Sequence, residues 1–263
     1  MGKGRVFVTH HIPRPGLDLL RKECESVDIF PGENRITKQE LIENIGGKDA
    51  LLCLLTNPID REVLSANSEL KVVANYAVGY NNIDVDAASE LGIKVTNTPG
   101  VLTEATADLA WALILSLARK IPQSDTFCRQ DKFTGWDPLL FLGKELNGAT
   151  LGIIGCGRIG AAVGRRGKGF GMDVIYHNRK PNPGCDKDGF SFVPFDMLIK
   201  KADIISLHVP LTDDTHYLID SDVLSRMKKD ALLINTSRGP VIDEKALSKA
   251  LLSKEIGGAA LDV

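Results

Sequence analysis

Nothing in this chain restricts its fold more than the nine residues GIIGCGRIG at 152–160. Gly155, Gly157 and Gly160 stand in a G-x-G-x-x-G pattern, directly after a strand-like apolar run and at the start of a helical one. Glycine at these points permits a tight turn, lets backbone amides approach an anion, and lets the helix pack closely on the strand. The helix N-terminus adds partial positive charge. Glycine-rich turns also arise with no ligand, so the letters alone are a weak signal. The strand before and the helix after turn the pattern into a candidate cradle for a dinucleotide pyrophosphate.

That setting extends over the whole chain. Short β-rich apolar runs at 5–9, 27–30, 50–55, 71–74 and 93–97 alternate with helical patterns at 15–24, 37–44 and 60–66. The pair Pro99-Gly100 breaks the series, and Thr103 with Glu104 opens a long helix to about Arg119. A second series has strands at 151–155, 172–177, 203–210, 231–237 and 258–263, with helices at 158–169, 221–228 and 243–253. Such alternation predicts parallel sheets, an α/β class, and two tandem domains over 1–99 and 100–263. The helix from Thr103 is apolar on most faces, so it is expected to be buried between domains or between subunits, a dimer being the simpler arrangement.

Composition excludes several functions. The formal net charge is −2, with 43% hydrophobic and 25% charged residues, which leaves no electrostatic footprint for nucleic acid or an anionic membrane. The longest apolar stretch, 109–118, is too short to span a bilayer. Cys24, Cys53, Cys128, Cys156 and Cys185 are scattered, which argues against a disulfide framework or a zinc site and for a reducing cytoplasm. No histidines and carboxylates share metal-ligand spacing, so no metal is expected.

Several residues fall where ligands of α/β sheets bind. Asn178, 23 residues after Gly155, takes the place where NAD-binding folds carry a carboxylate on the ribose, and Arg179 and Lys180 follow it. A guanidinium and an ammonium suit a 2′-phosphate, so NADP(H) is the preferred cofactor with NAD(H) possible, against the alternative of a solvated basic loop. Thr236, Ser237 and Arg238 follow an apolar strand at its carboxyl end. Arg238 there either grips a substrate carboxylate and polarises its carbonyl or pairs structurally with a nearby acid or helix end. Gly79 either presents amides to an anion or makes a turn. His208 ends a strand, where a histidine is more often a structural hydrogen-bonder than a catalyst. His10 and His11 end the first strand of the other domain and face either the cleft or solvent, His177 precedes the expected 2′-phosphate site, and His216 lies in a polar loop.

The segments AVGYNNID (77–84), NTPGVLTEATADLAWALILSLAR (97–119), GIIGCGRIG, HVPLT (208–212), NTSRGPVID (235–243) and GGAALDV (257–263) resemble the D-isomer-specific 2-hydroxyacid dehydrogenases. The opening VFVTHHIPRPGLDLL is most similar to the glyoxylate and hydroxypyruvate reductases within that family. The resemblance implies a flavodoxin-like substrate domain and a Rossmann-type nucleotide-binding domain, with the long helix commonly helping to form a homodimer. It implies reduction of a small 2-oxo acid. Val78 and Gly79 would offer amides to the substrate carboxylate, and Arg238 would be the catalytic arginine. Thr106, Arg158, Ile159, His208, Val209, Pro210, Thr215, Thr236 and Asp262 would line the cofactor. Other implied activities are dehydrogenation of a different 2-hydroxyacid such as phosphoglycerate, or dinucleotide sensing by a corepressor-like protein.

The family pattern continues past its ALDV strand to a glutamate and then to a proline-histidine motif that bears the acid/base histidine. Neither follows GGAALDV here, an apolar run of the kind that makes a buried strand. The expectation is therefore an N-terminal portion of a longer enzyme, truncated in its nucleotide-binding domain and lacking the catalytic Glu and His.

Overall fold

A computed structural model describes residues 4–32 and 34–263. The chain divides between Val101 and Leu102 into two units. In the first, β1 (Arg5–Val8), β2 (Ser26–Ile29), β3 (Ala50–Cys53), β4 (Val72–Asn75) and β5 (Lys94–Thr96) pair in parallel in the order β2-β1-β3-β4-β5. This is the flavodoxin-like order. Parallel neighbours need crossovers, supplied by helices Arg14–Glu23, Lys38–Ile45, Arg61–Ser65 and Val85–Glu90. Thr37 and Glu40 close a capping box on the second, and Asp60 and Asp84 cap the third and fourth through the amides of Val63 and Ala87. Phe7, Leu51 and Val73 meet Ile45, Val63 and Ala87 in the core. At the strand entrances Asp49 accepts from Lys71 Nζ at 2.7 Å and from the Arg5 amide at 2.9 Å, which holds its carboxyl well below the usual range.

The second unit has β6 (Thr150–Ile154), β7 (Asp173–His177), β8 (Ser191–Phe192), β9 (Ile204–Leu207), β10 (Leu232–Asn235) and β11 (Gly258–Leu261), all parallel, in the order β11-β10-β9-β6-β7-β8. Read from β8, this is the 3-2-1-4-5-6 order of dinucleotide-binding sheets. Alternation sends successive side chains to opposite faces. Leu151, Ile153, Ile204, Leu232 and Ile234 thus join a core with Trp111, Ile114 and Val163, while Ile154, Ile205, Leu207 and Leu233 join another with Leu198, Ile219 and Leu247.

The helix Thr103–Ala118 buries Ala107, Ala110, Trp111, Ile114 and Ala118 within this unit. Trp111 Nε1 donates to Val163 O at 2.9 Å, in the helix Arg158–Gly169, and its ring stacks on Phe170 at 4.4 Å. Arg166 bridges back to Glu104 and Asp108. The other face of the long helix leaves Ala105, Leu109 and Ala112 at the surface. Among the described residues no helix is long and apolar enough to cross a membrane.

Three readings need correction. The run at 258–263 is not a buried strand: β11 lies at the sheet edge with Leu261 exposed, because it has only β10 to pair with. The strands expected over 203–210 and 231–237 stop at Leu207 and Asn235, beyond which the chain turns into loops. Four further helices, Val85–Glu90, Ile121–Arg129, Pro183–Lys187 and Phe195–Lys201, and the two-residue β8 join the elements expected from sequence.

Candidate functional site

The register of the second sheet lines up five loop residues. Ile154 pairs with His177 and Leu207, and Asn235 pairs with Leu207 and Leu261. The next residue along each strand, Gly155, Asn178, His208, Thr236 and Asp262, therefore emerges at the carboxyl end of the sheet in one row. The row spans the β6/β9 switch point, where open α/β sheets bind ligands.

At its centre is the glycine turn. Gly155 has φ +95°, and a Cβ there would lie 2.7 Å from the carbonyl carbon of His208. A Cβ on Gly160 would collide with Gly155 O and approach Ile153 Cγ2 at 3.0 Å. These two glycines serve the protein's own packing. Gly157 is different: a Cβ there would meet nothing within 4 Å. Gly157 caps the 12-residue helix Arg158–Gly169 without a side-chain cap bond, so the first turn keeps donor amides for a ligand. The Thr236 hydroxyl adds a buried polar atom with no hydrogen-bond partner among the described residues. Open space at Gly157, an unfilled helix terminus and the Thr236 hydroxyl, all at the carboxyl end of this sheet, fit a dinucleotide.

The flanks are held by side chains. Asn178 Oδ1 accepts from Cys156 N at 2.7 Å and its Nδ2 donates to Cys156 O at 3.2 Å, so its amide grips the glycine turn, while Arg179 and Lys180 are exposed. Cys156 and Cys185 are paired as a disulfide, with Cα atoms 7.0 Å apart, whereas Cys24, Cys53 and Cys128 are free. This corrects the expectation of unpaired thiols: β6 and β7 are parallel neighbours, so the turn after one meets the loop after the other.

Beyond β9, His208 Nε2 lies 2.9 Å from Ser206 Oγ, and burial pushes its imidazole down to about 4. A ring neutral at pH 7 is no proton donor there, in keeping with a structural role. Thr215 Oγ1 donates to Pro210 O at 2.7 Å and accepts from Thr212 N at 2.8 Å, tying up the loop that carries Val209 and Pro210. Beyond β10, Asn235 Oδ1 accepts from Ser237 N and Ser237 Oγ, and Asn235 Nδ2 donates to Arg238 O at 2.8 Å. Arg238 is half-buried, with Nη1 donating to Ser237 O at 2.6 Å, and burial lowers its pKa, though a guanidinium stays charged. Asp262, exposed, donates its amide to Asn235 O at 3.0 Å. Thr106 is half-buried in the first turn of the long helix, and Arg158 and Ile159 open the helix after the turn.

In the first unit, Asn75 at the end of β4 donates to Gly79 O at 2.7 Å, and Asn97 donates to Val78 O at 2.7 Å. The carbonyls of this loop are tied back while the amides of Val78 and Gly79 have no acceptor among the described residues. Sequence reasoning missed Asn75, Asn97 and Asn182; for the last, an Asn just before Pro183 was a legible helix-start signal. His10 and His11 contact one another, and His177 Nδ1 lies 3.0 Å from Val193 O.

Residues 111–263 match the family described as "D-isomer specific 2-hydroxyacid dehydrogenase, NAD binding domain". The chain belongs to this family. As a 2-hydroxyacid dehydrogenase it is an oxidoreductase that uses a nicotinamide dinucleotide. It is 49% identical to a glyoxylate reductase of Korarchaeum cryptofilum over 99% of this chain and 79% of that protein. It is 47% identical to a glyoxylate reductase of Thermococcus litoralis over 99% and 80%. Among solved structures of dehydrogenases, a glyoxylate reductase from Paecilomyes thermophila superposes with a TM-score of 0.89 at 35% identity, covering 100% of this chain and 82% of that one.

Proposed function

We propose that this dehydrogenase reduces glyoxylate and hydroxypyruvate to the corresponding D-2-hydroxy acids, with NADPH preferred over NADH. The observation that carries the reading is the carboxyl end of the second sheet, where the turn after β6 holds the open Gly157 and the loop after β10 holds Thr236 and Arg238. Kinship at 47–49% identity with proteins named glyoxylate reductases supports the substrate.

The nicotinamide, when bound, supplies a hydride to C2 of the 2-oxo acid. Arg238 grips the carboxylate and polarises the carbonyl oxygen, and burial strengthens that contact by removing competing water. In the first unit, the amides of Val78 and Gly79 are suited to donate hydrogen bonds to a carboxylate oxygen. In this reading residues 1–99 form the substrate domain and 100–263 the nucleotide domain. Gly157, Arg158 and Ile159 hold the pyrophosphate, on a turn whose shape Gly155 and Gly160 permit, and Arg179 and Lys180 hold a 2′-phosphate. Thr106, His208, Val209, Pro210, Thr215, Thr236, Ser237 and Asp262 line the remainder. None of the five histidines in the sequence is the proton donor in this reading, so these 263 residues bind dinucleotide yet turn substrate over roughly 10²–10⁴-fold more slowly than a site with a positioned acid. The exposed apolar residues Phe133, Trp136, Leu139 and Leu142 support a homodimer. Dependence on a reduced dinucleotide pool supports a cytoplasmic location.

Calorimetry with each dinucleotide, followed by turnover of a 2-oxo acid panel, tests the reading. Tighter NADPH than NADH binding and slow turnover favouring glyoxylate are expected. Tighter NADH would end the cofactor preference, a bulkier 2-oxo acid as best substrate would end the substrate assignment, and rapid turnover would show that the acid lies within these residues.

A further inference from the structure

We propose that Asn182, acting with Asn178, is a positioning residue for the phosphate-binding turn: the two side chains clamp the Cys156 peptide and so set dinucleotide affinity without touching the cofactor. The proposal rests on the dinucleotide reading and assigns a role within it.

Cys156, fully buried, sits between the first two glycines. Its carbonyl accepts from Asn182 Nδ2 at 2.8 Å and from Asn178 Nδ2 at 3.2 Å, which fills both lone pairs of the oxygen. Its own amide donates to Asn178 Oδ1. On the far side of the same peptide plane, Gly157 N donates to Gly155 O at 2.9 Å. The plane between residues 156 and 157 is thus held at both edges, and it determines where Gly157 and the first helical turn begin.

Asn182 is itself pinned. Its Oδ1 accepts from Gly184 N at 3.0 Å as the cap of the helix Pro183–Lys187, which leaves Nδ2 to face Cys156 O. Its backbone amide donates to Tyr176 OH at 2.9 Å, and that hydroxyl, on a fully buried ring, donates to Asp186 Oδ1 at 2.7 Å. The loop carrying Arg179 and Lys180 therefore starts and ends on side chains that grip the glycine turn.

A clamp and a ligand differ in which dinucleotide they affect. Loosening the turn weakens contacts to the pyrophosphate, which NADPH and NADH share. Losing a 2′-phosphate ligand weakens NADPH alone. Asn182→Ser keeps a neutral cap oxygen for Gly184 N but is too short to reach Cys156 O; Asn178→Ala removes the other half of the clamp. Dissociation constants for both dinucleotides, measured by calorimetry on the whole chain, are expected to rise by roughly 3- to 10-fold for Asn182→Ser, which loses one hydrogen bond to Cys156, and by about as much or more for Asn178→Ala, which loses two, with the NADPH:NADH ratio unchanged. Arg179→Ala serves as the contrast and is expected to change that ratio. Unchanged constants, or a loss confined to NADPH, would overturn the clamp. If Asn182→Ser fails to fold, Asn182→Thr, which likewise keeps a neutral cap oxygen and no donor for Cys156 O, takes its place with the same criteria. Should the unaltered chain bind neither dinucleotide, the underlying reading fails and the clamp with it.

Discussion

At position 157 a methyl group would enter open space, whereas at position 160 it would strike the backbone of the turn. The two substitutions therefore separate fold from function. Gly160→Ala is expected to destabilise the protein by about 1–3 kcal/mol or more through overpacking, and Gly157→Ala to stay within about 0.5 kcal/mol of the parent. Gly157→Ala should nevertheless weaken dinucleotide binding by about tenfold or more, since the methyl occupies the approach of a charged phosphate. Thermal melts with and without NADPH check both. His208 makes a pH prediction. Its folded pKa of about 4 lies below the unfolded value of 6.5, so the unfolded chain binds the extra proton between those pH values. Stability is full above pH 6.5 and declines as pH falls toward 4, by up to about 3 kcal/mol from this group. Denaturant titrations of His208→Gln across that window should show a flatter pH dependence than the parent; identical slopes would refute it.

Between elements, the chief restraint is the Cys156–Cys185 bond, which joins the turn after β6 to the helix after β7 across 29 residues. In the chain-entropy account a loop of that length stabilises by about 3–4 kcal/mol. Reduction, or Cys185→Ser, is expected to lower the unfolding free energy of the second unit by up to that amount, read from denaturant curves with and without dithiothreitol. Coincident curves would show that the bond contributes nothing. Helix and strand identity was legible wherever a segment repeated its pattern: the helix Arg158–Gly169 begins and ends at the residues the sequence indicated. Helices with little apolar face escaped: Ile121–Arg129 buries no residue and Pro183–Lys187 only Cys185, whereas Glu244–Leu252 and Arg61–Ser65, equally short, bury three and two and were legible. Strand ends were overrun at Leu207 and Asn235 because the following residues are apolar or β-branched, yet pairing stops where the loops begin.

For the molecule as a whole, the segment after the long helix displays Trp136 at 85% exposure and Leu139 at 76%, with Phe133 and Leu142 more than half exposed. Exposed apolar side chains this close in sequence are costly to hydrate and are the basis of the proposed dimer. Light scattering is expected to report a dimer, and Trp136→Asp with Leu139→Asp to convert it to monomer without loss of helix content. A monomeric parent would remove the dimer from the proposed function.

The repeated alternation of apolar runs and helical patterns, the glycine spacing and the residues at strand ends determined the α/β class, the division near residue 100 and the candidates Arg238 and Asn178, because local periodicity and turn chemistry are written in neighbouring residues. Tertiary structure alone decided that Asn178 turns its amide inward onto Cys156, that Asn182 joins it, that Cys156 meets Cys185, and that Thr236 keeps an unpartnered hydroxyl. Each of these depends on strands far apart in sequence lying 5 Å or so apart in a sheet, and parallel register, which brings such residues together, leaves no mark on either partner's sequence.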